Sequence, residues 1–364
     1  MLLFSIFLLS CSALVIYTNI KKDNRIYRIY GEMCFLLIVI LFAGLRYGFT
    51  WDYFTYVEMY NNIDLGNFLQ LNSYGTIEPF FLWLVYFLRD FFNADVQALF
   101  FIYALIMYFV IFKTYKEYNY KQAILLFFFF LIINRLFFQS LSYIRQFLAV
   151  SIAFWACRYI YTENFKRYIL TVLLAVLCHY SAIIMVPVYY FARLRVKNIT
   201  YILALLCSML ITFFLPTVME LMLSIVSGFS TEFGIIAKAL VYFSFNGKGI
   251  SLSVIFEVIL FMLIVLFVHK SKNEIKKICV VNMCFFSTIM YVLFCTNEVF
   301  IRLAAYFNIF TPIGLVLVAN KLNLSTRLMF YLLVSVYYIA VLFNSINAYE
   351  REYNFYIDSI FYFL

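Results

Sequence analysis

LRYGFTWDYFTY, from Leu45 to Tyr56, begins as the tail of an apolar run and ends as something else. Residues 31–44 before it are almost all apolar, whereas within it the cation Arg46 and the carboxylate Asp52 stand six positions apart among aromatic side chains. Arginine, tyrosine and tryptophan collect where a helix leaves lipid for water, because each has an apolar body and a polar tip. The stretch therefore reads as the exit of a membrane-crossing helix, and the rest of the chain repeats the pattern.

Of the 364 residues, 66% are hydrophobic and 12% charged, whereas a soluble domain is about half apolar and a quarter charged. Apolar spans lie near 2–19, 31–47, 96–113, 121–138, 143–161, 200–218, 251–269, 277–296, 300–319 and 327–346. Each approaches the ~20 residues that cross a bilayer as helix, and lipid satisfies no backbone hydrogen bonds, so helices are the expected spanning elements. The reading is an all-α polytopic integral membrane protein with about 10–13 transmembrane helices. No linker, low-complexity tract or repeat divides residues 1–364, which read as one multi-pass domain. The first run, LLFSIFLLSCSALVIY, lacks a basic start and a cleavage site and reads as a retained helix rather than a signal peptide.

The net charge of +9 fits basic loops on the cytoplasmic side of a membrane rather than nucleic-acid binding. Eight cysteines without a C-x-x-C pair look like buried small hydrophobes, and His179 and His269 are far apart, so no metal centre is expected. The sequence has no phosphate-cradling P-loop and no G-x-S-x-G, and no cofactor is expected.

Two segments decide the topology. EPFFLWLVYFLRDFF (78–92) is short, and 168–192 holds CHYSA at its middle and Pro187 further on. If the first does not cross and the second is a broken or re-entrant pair of half-helices, one side collects 19 of the 27 Lys and Arg, from Lys21 to Arg327. A single span at 168–192 would instead move HKSKNEIKK (269–277) outside; a break at Pro216 restores the parity equally well. Arg46, Asp52, Glu78, Arg145, His179 and Arg302 then fall at or near the outer face, with extended outer loops at 46–77 and 219–250.

Arg145 sits three residues into the apolar run YIRQFLAVSIAFWA, and Arg302 near the start of FIRLAAYF. A charge within such a run costs about 2.5–3.5 kcal/mol on insertion scales and usually faces a polar cavity. Arginine's planar fork suits phosphate, so Arg46, Arg145 and Arg302 are candidates for a pyrophosphate site. Against that stand interfacial anchoring and pairing with Asp52, Glu78 or Glu298. Asp52 and Glu78 are general-base candidates, although Glu78 before Pro79 also suits a helix start and Asp52 a turn. His179, beside Tyr180 and Ser181 at an apparent break, is either a hydrogen-bonded core residue or a proton carrier in a cavity.

Five motifs in order, GLRYGFTWDYFTY, EPFFLWL, IRQFLA, CHYSA and IRLAAYF, resemble the EpsG family, related in role to the Wzy polymerases of O-antigens and exopolysaccharides. The resemblance runs from Gly44 to Phe307. The chain departs from the family pattern at Phe49-Thr50-Trp51, where a glycine is common, and in EYNFYID, with Tyr353 and Tyr356 but no proline. It implies a bacterial plasma-membrane glycosyltransferase with its active site facing the periplasm or exterior. Such an enzyme moves a growing glycan from undecaprenyl pyrophosphate to the next lipid-linked repeat unit. Arg46, Arg145 and Arg302 would hold the pyrophosphate, and Asp52, Glu78 or His179 would take the acceptor proton. Tyr47, Trp51, Tyr53 and Tyr56 would line the sugars. Membrane lipid, a chain-length regulator and a flippase are the implied partners. Rivals are a flippase or transporter of the same lipid-linked oligosaccharide, and another outer-face transferase, either a glycan ligase or an acyltransferase.

Overall fold

The computed structural model describes residues 2–21, 23–63, 77–228, 251–268, 274–295, 297–347 and 354–355. Apart from two short strands, its regular structure is helical. The chain forms two compact units, one of residues 1–187 and 325–364 and the other of residues 188–324. The segments 64–76 and 229–250, parts of the two expected outer loops, lie outside the described residues, as do Tyr353 and Tyr356 of the tail motif.

The first unit opens with α1 (Leu2–Ile20) and α2 (Arg25–Gly44). Asn24 caps α2, its Oδ1 accepting from the backbone N–H groups of Ile26 and Tyr27, two of the donors that a helix start leaves without a partner. After α2 come β1 (Arg46–Tyr47), α3 (Tyr53–Asn62), and α4 (Pro79–Val85) continued by six residues of π-helix, Tyr86–Phe91. Then follow α5 (Val96–Tyr118), α6 (Ala123–Ile132), α7 (Leu136–Ser142), α8 (Ile144–Ala156), α9 (Arg158–Tyr161) and α10 (Phe165–Cys178). The backbone breaks at His179 (φ −161°, ψ 126°) and continues as a 3₁₀ segment, Tyr180–Met185.

The second unit holds α11 (Val188–Phe191), α12 (Asn198–Gly228), α13 (Leu252–Val268), α14 (Ile275–Leu293), α15 (Glu298–Ile301), α16 (Ala305–Asn308) and α17 (Thr311–Ala319). Helix α12 runs through Pro216. Of the two breaks that would balance the basic loops, the chain makes the one at His179. Asn282 stitches this unit, donating to the carbonyls of Ala192 and Leu194 at 2.9 Å and accepting from Tyr201. The chain returns to the first unit through α18 (Leu324–Asn347), where Tyr331 meets Phe129, and β2 (Asn354–Phe355) pairs antiparallel with β1.

Among the described residues, seven helical segments are long and apolar enough to cross a membrane: α1, α2, α5, residues 198–218, α14, residues 302–319 and residues 324–346. A bent pair, Tyr120–Ile132 and Leu136–Ser142, makes at most an eighth, kinked by 67°. The expected span 143–161 is a 13-residue helix followed by a four-residue one, and 251–269 gives 17 residues of helix, both short of the ~20 that cross straight. Leu9, Ile16, Leu210, Phe213 and Leu332 stand more than half exposed, as residues facing lipid would. The chain is an all-α, multi-pass membrane protein.

Within the first unit, α8 packs against α5 and α10, α5 against α2, and α2 against α1. Rings fill the seams: Phe7 stacks on Phe42 at 4.0 Å and on Phe137 at 5.3 Å. At Gly44 the backbones of α2 and α5 approach so closely that a Cβ there would stand 3.1 Å from the Phe101 Cα. That closeness puts the end of α2 directly against the start of α5.

Candidate active site

A helix that ends in an apolar setting leaves carbonyls without donors, and the residues after Gly44 supply them. The Arg46 guanidinium is 1% exposed. It donates to the Ala43 carbonyl at 2.5 Å and the Leu141 carbonyl at 2.8 Å, and lies 4.6 Å from the centre of the Phe100 ring. Gln97, near the start of α5, donates to the carbonyls of Gly44 (2.5 Å) and Arg46 (3.3 Å) and accepts from the Tyr53 hydroxyl. Beyond β1 the chain turns sharply: Gly48 has φ +63° and Thr50 φ +89°. A β-branched residue at such a φ is strained, and the Thr50 hydroxyl, bonded to the Leu141 carbonyl at 3.2 Å, helps to hold it there.

This turn launches α3 from Asp52, which is half-buried and makes no side-chain capping bond. The far end of α3 is tied down by Arg89, which donates to the Tyr60 carbonyl at 2.7 Å, and by the Tyr60 hydroxyl on the Ala94 carbonyl. Helix α3 thereby points Tyr53, Tyr56 and Tyr60 inward.

Tyr56 leads to the charged cluster. Its hydroxyl is hydrogen-bonded to Arg145, whose guanidinium lies 5.6 Å from its ring centre and 5.4 Å from that of Phe81. Burial pushes the Tyr56 phenol above its usual range, Arg145 pulling the other way. Arg145, the second residue of α8, reaches Glu78 Oε2 at 2.5 Å, and Glu78 Oε1 lies 3.6 Å from His179 Nε2. Glu78 stands at the N-terminus of α4, with Pro79 at the first turn, yet its carboxylate makes no capping bond. It is committed to Arg145 and His179 instead.

Exposure rises outward through the cluster, from the Glu78 side chain at 4% to Arg145 at 19% and His179 at 28%. On the other edge of the imidazole, the Ser181 N–H donates to Nδ1 at 3.2 Å and the Ser181 Oγ lies 2.7 Å away. With Nδ1 accepting, the neutral ring carries its proton on Nε2, the nitrogen that faces Glu78. The Tyr103 hydroxyl and the Arg145 Nε are buried nearby and have no hydrogen-bond partner among the described residues.

Five of the expected site residues thus meet in the first unit: Glu78, Arg145, His179, Tyr56 and, one turn before Tyr56, Asp52. Arg46 belongs to the same unit but turns its guanidinium onto backbone carbonyls. Arg302 is half-buried at the start of a 3₁₀ turn, Arg302–Ala304, and belongs to the second unit. Of the aromatic residues, Trp51 is 67% exposed, Tyr47 is half-buried edge-on to Tyr53, and Tyr53 lies buried in a stack with Phe100 at 4.6 Å. Gln97 was not singled out in the sequence, and Thr50 and Ser181 were named there only as neighbours of other residues. Gln97 could have been found as a polar residue opening an apolar helix, and the departure at Phe49-Thr50-Trp51 from a glycine-bearing pattern pointed to the unusual backbone at Thr50. Among the described residues no group of three or more His, Cys, Asp or Glu could hold a metal.

No curated protein and no solved structure matches the chain. The EpsG family model matches residues 28–358, a stretch that takes in the turn at Gly48, the Glu78–Arg145–His179 cluster and Arg302. The chain therefore belongs to the EpsG family, whose members are Wzy-like polysaccharide polymerases of the membrane.

Proposed function

We propose that this polymerase moves a growing glycan from undecaprenyl pyrophosphate to the next lipid-linked repeat unit, at the outer face of the bacterial plasma membrane. The observation that carries the reading is the meeting of Arg145, Glu78 and His179 from three separate segments. An acceptor hydroxyl attacks the anomeric carbon, the bond from that carbon to the pyrophosphate oxygen breaks, and the pyrophosphate leaves with the electron pair. Arg145 neutralises the charge that develops on it, an electrostatic task suited to a preorganised guanidinium. The acceptor proton passes by way of the Ser181 hydroxyl to His179 Nδ1, and Glu78 stabilises the imidazolium from the Nε2 side.

Asp52, at the mouth of the turn, serves as a second carboxylate near the acceptor. Trp51 and Tyr47 are the aromatic faces accessible to sugar, while Tyr53 and Tyr56 position the cluster. Arg46 is assigned to holding the turn rather than to direct phosphate contact. Arg302 remains a pyrophosphate candidate on the strength of the IRLAAYF motif.

The test is complementation of a strain lacking this polymerase, at matched membrane levels, with surface polysaccharide resolved by length. Wild type is expected to restore the ladder and Arg145→Ala and His179→Ala to leave single repeat units. Long chains from both variants would overturn the assignment of the site.

A further inference from the structure

Tyr103 of α5 brings to the charged cluster a hydroxyl that the hydrogen bonds described above leave unused. It lies about 10 Å along the helix from Val96 and is 1% exposed. Its ring stands edge-on to Phe80, two residues past Glu78, at 6.1 Å. One turn nearer the start of α5, Phe100 carries Tyr53 on its face and Tyr56 at its edge, so this side of α5 forms the floor beneath α3. The Tyr103 hydroxyl is within electrostatic reach of Glu78, Arg145, Tyr56 and the Cys178 thiol. Yet neither it nor the Arg145 Nε has a hydrogen-bond partner among the described residues.

A buried hydroxyl without a partner costs stability, and phenylalanine would fill the same space without that cost. The cost has a reason if the hydroxyl is needed at one stage of the reaction, an inference that rests on the polymerase reading above. In that reading two anions claim Arg145: Glu78 Oε2, which it meets at 2.5 Å, and the leaving pyrophosphate. The Glu78 side chain is too buried for solvent to replace a donor withdrawn from Oε2, and a carboxylate stranded there is expensive. The imidazolium formed at His179 serves the other oxygen, Oε1, 3.6 Å from Nε2. The Tyr56 hydroxyl is engaged by Arg145 itself. The Tyr103 O–H is the unspent donor.

We propose that Tyr103 is a positioning residue of the polymerase site: its O–H donates to Glu78 as Arg145 turns to the pyrophosphate, and so holds the carboxylate in place for His179. The phenol keeps its proton throughout and touches neither glycan nor carrier. Such a hydroxyl lowers the stability of the resting protein and raises its rate.

Tyr103→Phe tests it in two measurements: thermal unfolding in detergent, and chain extension in isolated membranes over a range of lipid-linked repeat unit. Tyr331→Phe is the control. Its hydroxyl on α18 is likewise buried without a partner among the described residues, and its ring lies against Phe129, outside the cluster. Both variants are expected to unfold no earlier than wild type. Tyr103→Phe alone is expected to lower the maximal rate, by about tenfold to a hundredfold, the worth of one hydrogen bond to a charged group. A maximal rate equal to that of wild type overturns the proposal. So does a fall accompanied by earlier unfolding, which would make Tyr103 a packing residue, or an equal fall in Tyr331→Phe. Arg145→Ala and His179→Ala, run alongside, separate this proposal from the reading beneath it. If they stop extension and Tyr103→Phe does not, Tyr103 alone is misassigned; if both still extend chains, the site itself is wrong and the proposal falls with it.

Discussion

Arg145 and Glu78 stand 67 positions apart in the chain, and their side chains meet at 2.5 Å in a site where Glu78 is almost completely buried. Removing one partner of such a pair leaves the other charge stranded, at about 3–5 kcal/mol. Arg145→Ala should therefore lower both stability and polymer length. The double variant Arg145→Ala/Glu78→Gln should recover most of the stability, because no lone carboxylate remains, yet make no polymer. Thermal unfolding in detergent, set beside the surface ladder, separates the two effects. A double variant that builds long chains would show the pair to be purely structural.

His179→Ala should reduce polymerisation about 10²–10⁴-fold, the usual contribution of a positioned proton acceptor, at an unchanged membrane level. Ser181→Ala removes the hydroxyl on Nδ1 but keeps the backbone N–H, so its loss should be smaller. Rates of chain extension in isolated membranes would rank the two variants. A larger loss in Ser181→Ala than in His179→Ala would sink the proton path proposed for them.

Arg46→Lys keeps the charge and loses the fork. One ammonium cannot replace two N–H groups aimed at the Ala43 and Leu141 carbonyls, so stability should fall by about 1.5–3 kcal/mol, the worth of a hydrogen bond from a charged donor. Polymer made per folded molecule should stay near wild type, because the proposed role of Arg46 is to hold the turn. Activity normalised to folded protein decides the matter: a deep fall at full folding would return Arg46 to the phosphate site.

The tyrosines of α3 set a limit at high pH. Burial raises the phenols of Tyr56 and Tyr60, the latter to about 12, whereas in the unfolded chain they ionise near ~10. Below that value both states are protonated and these groups add no pH dependence. Above it the unfolded state loses its protons first, so stability falls as pH rises toward the folded values. The unfolding midpoint should be flat in this respect up to about pH 9 and then decline. Tyr56→Phe should make the decline shallower, and an unchanged slope would remove Tyr56 as a contributor.

Much of this was legible in the residues themselves. Arg145 announced itself as a charge within an apolar run, Glu78 as a carboxylate at the start of an apolar segment, although its place before Pro79 suits a helix start as well, and His179 by interrupting a run that would otherwise cross. What the sequence did not carry was direction. Arg46 and Arg145 look equivalent as letters, each a lone cation at the end of an apolar stretch. Only the carbonyls left bare by the end of α2, and the Leu141 carbonyl far along the chain, turn the first inward. The same holds for the aromatic residues of TWDYFTY, where helical phase in α3 buries Tyr53 and Tyr56 while Trp51, before the helix, faces out. Helix lengths were overread at 143–161, because composition does not show the interruption at Cys157.

The pairing of β1 with β2 sets Arg46 opposite Phe355, and it gives the molecule a temporal order. A ribosome delivers α1 to α10, with Glu78, Arg145 and His179 already among them, then makes the whole of the second unit before it reaches α18 and β2. At about 5–20 residues per second, the early segments wait many seconds for the helix that covers Phe129 and for the strand that pairs with Arg46–Tyr47. Until then one edge of β1, beside the turn at Gly48, has open backbone groups. The membrane insertion machinery, rather than the finished fold, must shelter that edge over the interval.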